Sequence, residues 1–169
     1  MSTTPSSIHA ALGDLHHELS TTRRVLERVT DEQLEWKPHP KSMSLGGLAS
    51  HLANVPGWAG MILGAAEFDV ATRAAAGSTV ALSRDEILSR FDENAATFRA
   101  GLDAATPEAL REIWTLRNGE RTVFQLPRIA VLRNMGINHM VHHRAQLGVY
   151  LRLLDIPVPS MYGPSADEG

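Results

Sequence analysis

The stretch "NHMVHHRAQLGVYLR", residues 138–152, places three histidines within five positions and runs straight into an amphipathic helical pattern. It belongs to a predicted helix from about Pro127 to Leu154. That helix begins on a proline its first turn tolerates and ends in "DIPVPSMYGPSADEG", where further prolines forbid continuation. On this helix His139 and His143 emerge about 40° apart and one turn apart along the axis, so both can reach a single ion. His142 lies about 100° round from His143 and reads as a neighbour of the pair, hydrogen-bonded or solvated.

Working outward, three more helices are predicted. Ile8, Leu12, Leu15, Leu19, Val25, Leu26 and Val29 recur mostly at three- and four-residue steps, which predicts a helix over 8–29. "DEQLEWKPHPKSM" turns the chain, and Ser44 then offers an N-cap for a second helix from about Leu45 to Leu63. "GAAEFDVATRAAAGSTVA" is small and aperiodic and reads as a long connection. Ser83 with Glu86 forms a capping box for a third helix from about Arg84 to Leu102. Between the third and fourth helices, "IWTLRNGERTVFQL" has β-type residues around Asn118-Gly119, the pair that best fits a type I′ turn, so a short hairpin or irregular flap is expected. The predicted fold class is all-α: a four-helix bundle in which residues 1–169 form a single domain, with one short β-type or irregular insertion between helices three and four.

Composition narrows the function. A net charge of −3 over 169 residues, with both signs interspersed, supplies no electrostatic footprint for nucleic acid. No run approaches about 18 uninterrupted apolar residues and no signal-peptide pattern opens the chain, so no membrane partner is expected and the cytoplasm is the expected location. With no cysteine, disulfides, Cys-ligated zinc and a protein thiol nucleophile are excluded, and any thiol chemistry needs a thiol from solution.

Two imidazoles leave a first-row metal short of ligands, so a third belongs on a facing helix. His51 fits: it lies about 10 Å into the second helix, and His143 about 16 Å before the end of the fourth, so antiparallel packing brings them together. His9, His16, His17 and His39 read as ordinary solvated or hydrogen-bonded residues. From spacing alone, the His139/His143 pair is equally consistent with a metal site and with an exposed face.

Resemblance separates these readings. "HPKSMSLGGLASHLANVPGWA" (39–59) and "NHMVHHRAQLGVYLRLLDIPVPSMYGPSADE" (138–168) closely resemble the two signature regions of the DinB family. Carried over by position, the resemblance implies that His51, His139 and His143 bind a divalent metal, zinc or nickel foremost. It also implies an up-down-down-up arrangement, a homodimer, and kinship with thiol-dependent S-transferases and a mycothiol-dependent isomerase. The chain departs from the family pattern at Gly46-Gly47, where many relatives carry a larger residue.

Three neutral imidazoles with an open position make a catalytic rather than a structural arrangement. Zincin hydrolysis is disfavoured, because Met140 stands where H-E-x-x-H needs its glutamate. A metal-coordinated thiol is deprotonated outright, so metal-dependent S-transfer from a low-molecular-weight thiol (bacillithiol, mycothiol or glutathione) to a small electrophile is the expected reaction. The alternatives are a thiol-dependent isomerase and a non-catalytic, stress-associated metal-binding protein. Asn54 and Trp58 follow His51 on one face, and Gln146 and Tyr150 follow His143; these four, with His142, are the candidate pocket or supporting residues. Arg144 points away from the histidine pair and reads as an ion-pair partner. Tyr162 is expected to fold back toward the pocket or a dimer contact.

Overall fold

Helix periodicity in the sequence becomes helical rods, but the segments between them are more ordered than their composition suggests. The computed structural model describes Leu12, Gly13, residues 15–74 and residues 82–168. Ile8 and His9 of the predicted first helix lie outside the described residues. The elements are α1 (Leu15–Leu26), α2 (Leu45–Asn54), α3 (Trp58–Gly64), β1 (Glu67–Asp69), α4 (Val70–Ala74), α5 (Arg84–Ala104), α6 (Pro107–Arg111), β2 (Ile113–Asn118), β3 (Arg121–Pro127), α7 (Arg128–Val131) and α8 (His139–Leu153), with 3₁₀ turns at Asp31–Gln33 and Val55–Gly57. No helix among the described residues is long and apolar enough to cross a membrane.

The expected all-α bundle with a mere insertion is corrected. The helices share the fold with a three-stranded mixed sheet of order β1-β2-β3, in which β1 pairs parallel to β2 and β2 antiparallel to β3. Phe68 opposes Leu116, and Trp114, fully buried, opposes Leu126. The connection read as aperiodic thus contains β1 and α4. A three-residue strand carries too little alternation to be legible, and β1 exists because the distant β2 offers it an edge. The hairpin turn is also displaced by one residue: Asn118 pairs with Arg121, leaving Gly119 and Glu120 as the loop, and only Gly119 has positive φ (+60°). That is the signature of a II′ rather than the expected I′ turn.

Capping proceeds as the sequence indicates. The Ser44 side chain accepts a hydrogen bond from the Gly47 N–H at 3.1 Å, and Ser83 and Glu86 make a reciprocal capping box at the start of α5. The predicted second helix is broken by the 3₁₀ turn Val55–Gly57, because Pro56 has no N–H to donate and its ring crowds the preceding turn. The predicted fourth helix is likewise composite: α7 passes through a π-helical segment, Leu132–Asn138, before α8. Within it, a Cβ on Gly136 would lie 3.2 Å from the Phe98 ring, so this glycine lets the widened turn approach α5.

Cross-contacts give the helix directions. Glu27 and Arg23 of α1 and its end meet Arg84 and Asp92 of α5, so these two are antiparallel. Leu12 meets Arg133, and Thr22 meets Arg144, so α1 and α8 are parallel. Asn54 meets Arg90, and Gly60 meets Thr97, so α2–α3 runs parallel to α5. Met43 meets Tyr150, and His51 meets His139, so α2 and α8 are antiparallel. Leu19, Leu26, Leu48, Leu52, Phe91, Phe98, Leu147 and Leu151 fill the space between these helices. Each such side chain contributes about 1.5–3 kcal/mol by leaving water.

Candidate metal centre

His51 occupies the last turn of α2, and His139 and His143 the first two turns of α8. The antiparallel pairing of these helices puts the three imidazoles at one height. The Nε2 atoms of His51 and His139 are 2.9 Å apart, and those of His143 and His139 are 3.1 Å apart. The ring centroids lie 4.5–5.2 Å from one another. All three histidines are half-buried, and together they form a group that can hold a metal ion.

The donor set fits a divalent ion. A tetrahedral ion with bonds of about 2.05 Å separates its ligand nitrogens by about 3.3 Å, within a few tenths of an ångström of the observed spacing. Protonation agrees. Gln146 Oε1 lies 2.7 Å from His143 Nδ1 and accepts its proton, which leaves a lone pair on Nε2 aimed at the other two rings. Burial, followed by the neighbouring His143 and His142, pushes His139 below the ordinary histidine range. Burial also pushes His143 down against the opposing effect of Gln146. Both rings are therefore held in the neutral form that ligates a metal.

The remaining candidate residues fall into distinct surroundings. Trp58 packs against the cluster, its ring 5.7 Å from His51 and 5.1 Å from His139, with Nε1 buried and without a hydrogen-bond partner among the described residues. His142 is exposed, its ring 4.9 Å from that of His143, and stands outside the three-histidine group. Tyr150 donates from its hydroxyl to the Met43 carbonyl at 3.4 Å and meets Trp36 edge-on, tying α8 to the loop before α2. Asn54 faces α5: its amide donates to the Ser50 carbonyl at 2.8 Å, and its Oδ1 accepts from Arg90 at 3.4 Å. Gly46 belongs to packing, since its N–H donates to the Leu34 carbonyl at 2.8 Å and a Cβ there would lie 3.0 Å from the Leu34 side chain.

Arg144, 1% exposed, binds the Glu18 carboxylate at 2.7 Å, the Glu18 carbonyl at 3.1 Å and Thr22 Oγ1 at 3.2 Å. The Tyr162 hydroxyl sits between this guanidinium and the Glu18 carboxylate, which locks the C-terminal tail onto α1 and α8. Sequence reading missed Arg90 and Asn94, which α5 brings beside Asn54 and Trp58; on a helix pattern both look like ordinary solvated positions. It also missed Arg128, whose guanidinium donates to the Ile62, Leu63 and Ala65 carbonyls and so closes the end of α3.

The fold and its three-histidine cluster between α2 and α8 define a helical protein with a group that can hold a metal ion, and the comparisons show its family. The DinB family model matches residues 6–169, and the chain belongs to the DinB family. It is 28% identical over 156 residues to the uncharacterised protein YrdA of Bacillus subtilis (strain 168), spanning 89% of this chain and 85% of that one. Its fold matches a DinB-like crystal structure from Bacillus cereus ATCC 10987 with a TM-score of 0.65, at 24% identity and covering 87% of this chain and 92% of that one. A DinB-family structure from Exiguobacterium sibiricum matches at 0.64, with 21% identity over 98% and 99% of the two chains.

Proposed function

We propose that His51, His139 and His143 ligate one divalent ion, zinc or nickel, and that the centre serves metal-dependent transfer of a low-molecular-weight thiol to a small electrophile. The observation that carries the reading is the convergence of three Nε2 atoms from two helices, with His143 fixed by Gln146 in the ligating tautomer. Three protein ligands leave room for an exogenous one, and a bound ion would hold a thiol there as its thiolate. The chain's own part is to orient: Gln146 holds His143, and Trp58 walls the cluster on one side. Met140, at the place of the hydrolytic glutamate, is fully buried in the core and supplies no base. In the transfer, the thiol sulfur forms the new carbon–sulfur bond as the leaving group departs with its electron pair, and the thiol proton passes to solvent. A reducing compartment such as the cytoplasm would keep that thiol free.

The test loads the protein with cobalt and adds bacillithiol, mycothiol and glutathione in turn. Perturbation of the cobalt spectrum by at least one thiol, with consumption of a generic electrophile faster than in metal-free protein, is expected. No perturbation and no acceleration by any of the three would overturn the transferase reading. A homodimer belongs to the same proposal: Val149 and Leu153, each 58% exposed, stand one turn apart on α8 and present an apolar stripe to a second copy. Light scattering at micromolar concentration tests it, and a species of only 18.4 kDa would remove it.

A further inference from the structure

Beside the histidine cluster, α2, α3 and α5 enclose an open cleft of about 460 Å³ whose lining includes Asn54, Trp58, Phe68, Arg90 and Asn94. Trp58 belongs to both places: its ring packs on His51 and His139 and also walls the cleft. The opposite character comes from Arg90. Among the described residues it has no carboxylate in ion-pair reach, Glu86 one turn earlier on α5 acting on it only at longer range, and its one side-chain hydrogen bond is a 3.4 Å contact to Asn54 Oδ1. Two amides flank it with capacity to spare. Asn54 spends one Nδ2 hydrogen on the Ser50 carbonyl at 2.8 Å, and Asn94 spends one on the Ala53 carbonyl at 2.9 Å, so each keeps a second donor. Gly57 makes this arrangement possible, because a Cβ there would lie 2.5 Å from Asn94 Oδ1.

A guanidinium outside any close ion pair, two half-used amide donors and an aromatic wall are what a carboxylate attached to an apolar or peptide-like body requires. We propose that this cleft binds a carboxylate of the thiol cosubstrate, the body of the molecule lying along Trp58, so that the substrate class is carboxylate-bearing thiols. This inference deepens the transferase reading and rests on it for the identity of the ligand. Arg90, Asn54 and Asn94 are binding residues for the anionic end, remote from the reacting sulfur.

The experiment follows the Trp58 indole N–H by NMR, one of only three such resonances because the chain has three tryptophans. Glutathione, its diethyl ester and S-methylglutathione are titrated into zinc-loaded and zinc-free protein. Glutathione and S-methylglutathione should shift the Trp58 resonance saturably, and the diester, with its carboxylates masked, should bind at least about tenfold more weakly, as loss of a charge-assisted pair predicts. Arg90→Ala should remove the preference for the free acids while leaving zinc content unchanged. Asn54→Asp, which sets a negative charge beside Arg90, should do the same without truncating a side chain. Equal binding of acid and ester, or an unchanged preference in both variants, would overturn the proposal. Because S-methylglutathione lacks a free thiol and is also tested on zinc-free protein, that arm decides the cleft independently of the metal. Failure to bind zinc would count against the centre and not against the cleft.

Discussion

His143 is the residue on which the centre turns, because its two ring nitrogens have separate partners: Nδ1 faces Gln146 and Nε2 faces His139. Gln146→Leu removes the acceptor that selects the tautomer, and loss of such outer support typically weakens metal affinity about 10–100-fold. A competitive chelator titration measures this, and an unchanged affinity would show that the glutamine has no orienting role. His142→Ala should leave metal affinity within about twofold of the wild type, since its ring stands outside the converging group. Arg144 tests a different kind of dependence. It is almost wholly buried against Glu18, and removing one partner of such a pair strands the other charge. Arg144→Met should therefore cost about 3–5 kcal/mol in chemical denaturation. A cost under about 1 kcal/mol would mean that the pair behaves like a surface ion pair.

At the scale of elements, legibility followed the range of the interactions. Ser44 and Ser83 were readable because a cap is satisfied within three residues of chain, and α5 begins where its capping box predicts. Ser83→Ala should lower stability by about 1 kcal/mol, and a melting curve that does not move would contradict the capping role. Pro56 was legible in principle as a helix breaker, but the apolar period running through it masked the break. The π segment had no such local mark: it depends on α5, where Phe98 meets Gly136. β1 was hidden for the same reason, since its pairing partner lies on β2. The histidine spacing allowed a metal site and did not require one; family resemblance, rather than periodicity, singled out the ligands. The Arg90 cleft lay beyond either approach, because two parallel helices have to pack before its parts meet.

For the whole molecule, the C-terminal tail acts as a strap held by charge. Asp167 pairs with Arg152 and accepts from the Val158 N–H, while Glu168 pairs with Arg24 and Arg28 and accepts from the Ser160 N–H. The Arg152 side chain and the Val158 N–H hold the Asp167 carboxyl below its usual range; the Ser160 N–H, and then Arg24 and Arg28, do the same for Glu168. Each carboxylate therefore binds protons more weakly in the folded chain than in the unfolded one. Its stabilisation is complete above the ordinary carboxylate values of about 4 and is lost as pH falls through the lowered folded values. Hydrogen exchange at Val158 and Ser160 should stay slow from pH 7 to about 5 and rise relative to the core below about 4. Uniform exchange behaviour of tail and core on acidification would contradict the strap.

The central claim concerns three histidines, one of which the chain sets 88 residues before the nearer of the other two and the fold brings beside them. Metal analysis of protein purified without a nickel column, and then exposed to one equivalent of zinc, tests it most directly. Wild-type protein should retain about one divalent ion per chain through desalting, and His51→Ala should lose most of it while remaining folded. Two imidazoles on α8 hold a first-row ion far less tightly than three. Wild-type protein that retains no metal, or His51→Ala protein that keeps its full complement, would contradict the account.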